Sequence, residues 1–167
     1  MSSIDNIPPL AEMVSRLVIV FLVATCARAQ EGKKTALVTG GAGFIGHHVI
    51  EGLLNSTDWN VICLDRLDFS GNLNRIHDML KDKDPETRRR VKIVFADLRA
   101  AINDQVAKDI GSVDFILHLA AGSHVDRSIE HPMEFVMDNT VGTVNILEFA
   151  RLHQPDLGKN CLSLCCD

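Results

Sequence analysis

The 167-residue chain contains no tyrosine, and aromatic residues make up only 5% of it. No tyrosine phenol can therefore act as a general acid or base in this chain. An excess of positive charge is also lacking, because the formal net charge is −5. We therefore expect no nucleic-acid partner, since proteins that bind nucleic acid carry a basic surface. The hydrophobic content of 46% is sufficient for one globular domain with a core.

Cysteine patterns typical of metal sites or disulfide frameworks are lacking as well. Of the five cysteines, Cys63 lies in a short apolar run, where it is expected to act as a small hydrophobic residue. The terminal group, Cys161, Cys165 and Cys166, has neither C-x-x-C spacing nor a nearby histidine pair. We expect no metal site and no set of structural disulfides.

The sequence has no apolar run long enough for a membrane-spanning helix, since the apolar stretch at 17–24 is too short. With Arg16 before it and Ala27-Arg28-Ala29 after it, this stretch resembles a secretory signal peptide. Asp5 and Glu12 in the preceding segment argue against that interpretation. The alternative is an amphipathic N-terminal extension. We expect a cytoplasmic protein without membrane contact, or entry into the secretory pathway if residues 1–29 are a signal peptide.

From residue 33 onward, short apolar runs alternate with segments of helical spacing. Alternating strands and helices predict an α/β fold with a doubly wound parallel sheet of the Rossmann type, here truncated after about four strands. We expect an extension at 1–32, the domain at 33–158 and a separate tail at 159–167. Strands are predicted near 35–39, 60–65, 91–95 and 113–118, and helices near 44–55, 72–81, 101–110 and 133–153. The charged segment 81–90 is predicted to be a loop.

A glycine-rich turn follows the first predicted strand and leads directly into a helix. Its glycines stand at positions 40, 41, 43 and 46. Glycines allow backbone N–H groups to approach a pyrophosphate, and the N-terminus of a helix favours negative charge. This strand, turn and helix predict a dinucleotide site at Gly40, Gly43 and Gly46.

Asp65 ends the second predicted strand and lies 19 positions after Gly46. This is close to the spacing of a ribose-binding carboxylate in such folds. A carboxylate there accepts hydrogen bonds from ribose hydroxyls and repels a 2′-phosphate, so NAD is the expected cofactor. Arg66 weakens this preference, because an arginine at the same place can pair with the 2′-phosphate of NADP.

A second group of candidate residues follows the fourth predicted strand, from His118 to Ser128. Small residues at 120–122 would let the backbone pass close to a nicotinamide ribose. His118 is predicted to be a core histidine with satisfied hydrogen bonds. Asp126 and Arg127 are predicted to form a local ion pair.

With the run HVDRSI at 124–129, and Gly71-Asn72-Leu73 shortly after Asp65, the chain resembles the extended short-chain dehydrogenases/reductases that act on nucleotide sugars. Within that superfamily it is most similar to the dTDP-glucose 4,6-dehydratases. The resemblance covers about residues 33–151. It implies that the chain is the NAD-binding portion of an enzyme converting dTDP-glucose or UDP-glucose to a 4-keto-6-deoxy sugar. A nucleotide-sugar 4-epimerase or decarboxylase, or a non-catalytic NAD-binding module, is the alternative.

The resemblance also implies roles for individual residues. Ser123 and His124 would contact the substrate, and a homodimer would form through the helix at 133–153. Residues expected to bind NAD, in addition to the three glycines of the turn, are Phe44, Ile45, Asp65, Arg66, Leu67, Asp68, Gly71, Asp97, Leu98, Leu119, Ala120, Ala121 and Ser123. Two positions depart from the family pattern: Gly122 replaces a glutamate, and Asp138 replaces a small β-branched or hydroxyl residue.

The catalytic residues that the resemblance implies are absent. Family members use a tyrosine of a Tyr-x-x-x-Lys pair for hydride transfer and an Asp-Glu pair after a fifth strand for elimination. This chain has no tyrosine, and a cysteine-rich tail stands where that strand would follow. His118 and His124 are poor substitutes, because nothing in the sequence would orient them as bases. We therefore assign no catalytic residue and expect the chain to be inactive by itself.

Overall fold

The described residues are built around one five-stranded parallel sheet. The computed structural model describes residues 33–154 and the backbone of residues 161–163. The strands are β1 (Thr35–Thr39), β2 (Asn60–Asp65), β3 (Val91–Phe95), β4 (Phe115–His118) and β5 (Cys161–Ser163). Their order in the sheet is β3-β2-β1-β4-β5, and all four pairings are parallel. The direction of winding reverses between β1 and β4, which is where ligands bind in folds of this kind.

Helical segments connect the strands. They are α1 (Phe44–Ser56), α2 (Leu73–Lys81), α3 (Pro85–Arg89), α4 (Asp104–Ile110), α5 (Val125–Glu130), α6 (Pro132–Phe135), a π-helical segment (Val136–Val141) and α7 (Gly142–His153). Asn72, Asp84 and Asn103 cap α2, α3 and α4 by accepting hydrogen bonds from N–H groups in the first turn. Such caps satisfy donors that have no partner within the helix. Within the described residues, no helix is long and apolar enough to cross a bilayer.

Strand residues alternate between two hydrophobic layers, one on each face of the sheet. In β1, Ala36 and Val38 pack with α1 and α2, whereas Leu37 packs with α4 and α7. β2 repeats the pattern, with Cys63 on the first face and Ile62 on the second. Because both faces are covered, the strands are continuous apolar runs, as parallel sheets require.

The predicted doubly wound α/β fold and its four strands are confirmed. A short fifth strand, β5, pairs with β4 beyond the boundary predicted at residue 158. Three residues are too few to show a period of two in the sequence, so β5 was missed. The predicted loop at 81–90 contains α3, whose first turn is set by Asp84 and Pro85. The long helix predicted at 133–153 is interrupted by the π-helical segment.

Several predictions lie outside the described residues. These are the N-terminal extension at 1–32, with its signal-like or amphipathic character, residues 155–158 at the end of the predicted domain, and residues 159–160 and 164–167 of the predicted tail. The domain boundaries remain predictions.

Candidate functional site

A cleft of about 1020 Å³ opens at the carboxyl ends of the strands. It is lined by every predicted cofactor or substrate residue except one: Gly40, Gly43, Phe44, Ile45, Gly46, Asp65, Arg66, Asp68, Gly71, Asp97, Leu98, Leu119, Ala120, Ala121, Ser123 and His124. The exception is Leu67, which packs against the hydrophobic layer of α1 and α2. Segments far apart in the sequence therefore meet in one cavity of the size expected for a cofactor site.

Close backbone packing explains the glycines of the turn. Gly40 has φ of 67°, and a Cβ atom on it would lie 2.9 Å from the Cα of Ala120. A Cβ atom on Gly46 would lie 2.1 Å from the carbonyl oxygen of Gly40. Both distances are too short for any side chain. Without side chains here, α1 can start directly beneath the cleft.

The N-terminus of α1 is open toward this cleft. Among the described residues, no side chain caps the helix at Gly43, and its first turn holds no acidic residue. Phe44, Ile45 and Gly46 of that turn line the cavity. Uncapped N–H groups and the positive end of the helix dipole suit a phosphate group. This end of the cleft therefore fits the pyrophosphate of a dinucleotide.

Asp65 lies at the tip of β2 and is only 8% exposed. Its Oδ2 accepts a hydrogen bond from the N–H of Ala42 at 2.9 Å, and its Oδ1 accepts one from the N–H of Leu67 at 2.8 Å. Each carboxylate oxygen has two lone pairs, so each retains capacity for one more donor. The carboxylate is thus held rigidly while it can still accept hydrogen bonds from ribose hydroxyls.

Arg66 is the centre of a charged cluster beside Asp65. Its Nη1 and Nη2 donate to the two carboxylate oxygens of Asp138 at 2.5 and 2.9 Å, while its Nε and Nη2 donate to Oδ2 of Asp68 at 2.9 and 2.6 Å. The hydrogen bonds that Arg66 donates to Asp138 raise the pKa of Arg66 despite partial burial. Both edges of the guanidinium are therefore engaged by carboxylates.

Asp97 and Leu98 follow β3 at the same end of the cleft. Arg99 donates to both oxygens of Asp97, and these hydrogen bonds lower the pKa of the Asp97 carboxyl. The carbonyl oxygen of Leu98 accepts a hydrogen bond from Asn145 of α7 at 2.7 Å. The turn after β3 is therefore fixed by contacts to its neighbours, in a position suited to the adenine ring.

His118 ends β4 and is 1% exposed. The hydroxyl of Thr143 donates to the carbonyl of Asn139, so His118 Nε2, 3.1 Å from that hydroxyl oxygen, must be the donor to it. The hydroxyl oxygen of Thr39 accepts two backbone N–H groups, so its own hydrogen is donated to His118 Nδ1, which lies 2.7 Å away and is the acceptor. Burial lowers the pKa of His118. The imidazole is neutral and fully paired, as predicted for a core histidine.

The hydroxyl of Thr39 also holds the chain after β4. It accepts hydrogen bonds from the N–H groups of Leu119 and Ala120, each at 3.2 Å. The backbone is thereby drawn against the glycine turn. The segment that is predicted to face the nicotinamide is consequently fixed at its start.

The two departures from the family pattern are neighbours in space. A Cβ atom on Gly122 would lie 3.0 Å from the ring of Phe135 and 3.5 Å from Oδ2 of Asp138. Asn139 fixes this loop, since its Oδ1 accepts from the N–H of Gly122 at 2.7 Å and its Nδ2 donates to the Gly122 carbonyl at 3.1 Å. A glutamate at position 122 would bring a second carboxylate beside Asp138, so the two departures are physically linked.

Phe69 and Arg127 both line the cleft and contact each other. The Arg127 guanidinium lies 4.4 Å from the centre of the Phe69 ring, and its Nη2 lies 3.2 Å from Glu134 Oε2. The predicted ion pair between Asp126 and Arg127 is wrong, because Arg127 on α5 pairs with Glu134 on α6 instead. His124 lies beside Phe69, with ring centres 6.0 Å apart.

Sequence reasoning missed several lining residues: Phe69, Arg75, Phe95, Arg99, Arg127, Glu134 and Phe135. No local motif marks them, because they belong to separate segments that meet only in the folded chain. Phe69 and Phe95 differ from the aromatic residues of the core in their exposure, which is 68% and 60%. Asp138, which the sequence analysis marks only as a departure from the family pattern, also lines the cleft.

Comparison with known proteins assigns the chain to a family. The family model for GDP-mannose 4,6 dehydratase matches residues 37–162. A dTDP-glucose 4,6-dehydratase from Neisseria gonorrhoeae is 39% identical over 130 residues, covering 74% of this chain and 34% of that protein. One from Escherichia coli is 42% identical over 115 residues, covering 69% of this chain and 30% of that protein. The chain thus spans about a third of the length of these relatives.

Solved structures of a dehydratase and an epimerase are also similar to this chain. A double mutant of dTDP-glucose 4,6-dehydratase from Streptomyces venezuelae, with NAD and DAU bound, is 40% identical with a TM-score of 0.58, covering 69% of this chain and 35% of that one. The UDP-Glc/GlcNAc 4-epimerase from Campylobacter jejuni is 30% identical with a TM-score of 0.59, covering 73% and 34%. The chain therefore belongs to the GDP-mannose 4,6 dehydratase family of NAD-dependent epimerases and dehydratases, within the extended short-chain dehydrogenases/reductases, and is homologous to the NAD-binding region of dTDP-glucose 4,6-dehydratases.

Proposed function

We propose that this chain binds NAD in the cleft and is the NAD-binding portion of a nucleotide-sugar 4,6-dehydratase acting on dTDP-glucose or UDP-glucose. The observation that carries the proposal is that the open N-terminus of α1 and the fixed carboxylate of Asp65 line the same cavity. The first suits a pyrophosphate and the second a ribose.

The remaining contacts follow the length of the cofactor. Backbone N–H groups of Phe44 and Ile45 would meet the pyrophosphate, and Asp97 and Leu98 would lie against the adenine. The segment Leu119–Ala121 and Ser123 would line the nicotinamide side. When bound, NAD supplies the acceptor for a hydride from the sugar, whereas the residues of this chain bind and orient the cofactor.

Substrate contacts are proposed for Ser123 and His124, which both line the cleft. The named activity of the relatives supports a nucleotide sugar as the substrate. Sequence identity favours the dehydratase over the 4-epimerase or decarboxylase alternative, because the dehydratase relatives reach 42%. The fold does not separate them, since dehydratase and epimerase structures have nearly equal TM-scores, 0.58 and 0.59.

We further propose that these 167 residues do not catalyse the reaction by themselves. The chain has no tyrosine to accept the proton that leaves the sugar hydroxyl. His118 cannot replace it, because both ring nitrogens are engaged by Thr39 and Thr143 inside the core. The alternative, a cofactor-binding module without catalysis, shares these properties.

A homodimer contact through the helical region at 133–153 stays a proposal. Along α7, Val144, Leu147 and Leu152 are 52, 49 and 60% exposed. An apolar helix face of this kind suits a partner surface.

Isothermal titration of the purified chain with NAD tests the binding proposal. We expect a single saturable site, with Asp65→Ala weakening binding at least tenfold and the matched surface variant Asp78→Ala leaving it unchanged. Asp78 is a suitable control because its side chain is 65% exposed on α2. Absence of saturable binding at millimolar NAD would overturn the proposal.

A second assay addresses catalysis. Incubation of the chain with NAD and dTDP-glucose or UDP-glucose should yield no 4-keto-6-deoxy sugar by mass spectrometry. Formation of that product by this chain alone would contradict the proposed inactivity while leaving cofactor binding intact.

A further inference from the structure

Arg66 lies where a cation would be expected to accept a cofactor with a 2′-phosphate, directly after the ribose-binding candidate Asp65. Its guanidinium nevertheless donates its hydrogen bonds to two carboxylates of the protein. Asp138 meets Nη1 and Nη2 of Arg66 in a two-bond, fork-to-fork pair, and Asp68 meets Nε and Nη2. Bidentate pairs between arginine and carboxylate are strong and fix the guanidinium orientation.

Asp138 reaches Arg66 from a distant part of the chain. It lies on the π-helical segment Val136–Val141, and its side chain is only 13% exposed, against 26% for Arg66. Partial burial shields the pair from solvent and salt, so it is worth more than a surface pair. Gly122 lies beside this pair, since a Cβ atom there would be in van der Waals contact with Asp138 Oδ2, at 3.5 Å.

The surrounding charge is negative. Arg66 Nη1 lies 3.8 Å from Asp97, and Arg99 Nε lies 3.8 Å from Asp138. With Asp65 and Asp68, four carboxylates therefore face two guanidinium groups at this end of the cleft. Another cation, Arg75, lines the cavity, but its Nη1 donates to the carbonyls of Ala42 and Ser70.

We propose that Asp138 is a positioning residue that holds Arg66 in this carboxylate cluster, so that the cleft accepts NAD and rejects NADP. The inference rests on the proposed NAD binding and extends it to the choice between the two cofactors. Asp65 repels a 2′-phosphate directly. Asp138 acts differently, because it removes the one guanidinium that would offset this repulsion at the tip of β2.

Variants of Asp138 test the inference through binding rather than turnover. Dissociation constants of NADH and NADPH are measured by nucleotide fluorescence for the wild type, Asp138→Thr, Asp138→Asn and Asp138→Glu. We expect Asp138→Thr to bind NADPH about tenfold more tightly than the wild type, with NADH affinity changed less than threefold. Asp138→Asn should show a smaller gain, and Asp138→Glu should keep the wild-type discrimination.

Two further measurements identify Arg66 as the group through which Asp138 acts. In the double variant Arg66→Gln/Asp138→Thr, the gain in NADPH affinity should disappear, which a general loosening of the cleft would not produce. In Asp138→Thr, the gain should shrink as salt is raised, because it depends on a charge pair. Glu148→Gln is the matched control and should leave both affinities unchanged, since Glu148 pairs with Arg151 on α7 and does not line the cleft.

Unchanged NADPH affinity in Asp138→Thr and Asp138→Asn, with normal NADH binding, would overturn the inference and leave the proposed function standing. Absence of NADH binding in the wild type would overturn the proposed function, and this inference with it. The fluorescence of Trp59, which is buried against Phe115, reports whether each variant is folded.

Discussion

Gly40 and Ala120 touch backbone to backbone, so that a Cβ atom added to Gly40 would lie 2.9 Å from both the Cα and the N of Ala120. The contact joins the two segments that the sequence marks for cofactor binding, the turn after β1 and the chain after β4. The two segments lie side by side because β1 and β4 are adjacent in the sheet, with Thr39 opposite His118. Glycines here thus serve the packing of the cleft as well as access to a phosphate.

Gly46→Ala should destabilise the fold by about 3 kcal/mol, because the new methyl group would lie 2.1 Å from the carbonyl oxygen of Gly40 and must displace backbone. Urea unfolding followed by Trp59 fluorescence measures the change. Gly142→Ala is the matched control. Gly142 has helical φ of −58°, and a Cβ atom there would be 3.5 Å from Leu98 Cβ, so we expect no loss of stability. Equal stability of Gly46→Ala and wild type would contradict the packing described for the turn.

Asp65→Asn should lower the free energy of unfolding by about 1–3 kcal/mol even without cofactor. Asp65 accepts one N–H on each oxygen, from Ala42 and from Leu67. An amide offers one oxygen only, so either rotamer leaves a buried N–H facing an NH₂ group. Thermal unfolding of the apo chain measures the change. Asp78→Asn, on an exposed side chain, is the control. A melting temperature equal to that of the wild type would show that Asp65 has no structural role.

Local sequence patterns were sufficient for the four main strands and for most of the cleft. Short apolar runs identify β1, β2, β3 and β4, and the carboxyl ends of parallel strands converge at one edge. The position of Leu67 could not be predicted in this way. It has φ of 55°, and this left-handed conformation accompanies packing of its side chain into the core instead of lining the cleft.

Pairs between different elements were the main limit of the sequence analysis. Arg66 pairs with Asp138 and Arg127 pairs with Glu134, and neither pairing follows from spacing along one element. The π-helical segment was also missed, because its apolar residues continue the helical periodicity while its hydrogen bonds change. Each of these features depends on how two elements meet, which a single sequence does not encode locally.

Stability should fall as the pH is lowered below about 6.5, the ordinary pKa of histidine. Burial lowers the pKa of His118 in the folded state. Between the folded and unfolded pKa values, the unfolded state binds the proton and the folded state does not, so acid favours unfolding. Urea midpoints between pH 8 and pH 5 measure this slope, and His118→Asn should reduce it. His47, whose pKa is also lowered by burial, contributes to the same pH dependence, so part of the slope should remain in His118→Asn. A slope unchanged in His118→Asn would contradict the assignment.

Asn139 couples the loop at Gly122 to the π-helical segment through both ends of its amide, accepting from the Gly122 N–H and donating to the Gly122 carbonyl. Asn139→Asp keeps the acceptor but replaces the donor with a second oxygen, which would face that carbonyl. It also adds negative charge beside Asp138. We expect a loss of about 1–3 kcal/mol in the free energy of unfolding, measured by urea titration at pH 7.

The pH dependence of Asn139→Asp distinguishes charge repulsion from a simple loss of packing. Protonation of the new carboxyl restores a donor and removes its charge, so the stability difference from wild type should narrow as the pH falls from 7 toward 4. Asn74→Asp, on the exposed surface of α2, adds the same charge without a buried partner and should cost less than 0.5 kcal/mol. A difference for Asn139→Asp that is independent of pH would show that loss of packing, and not the charge of the new carboxylate, causes the destabilisation.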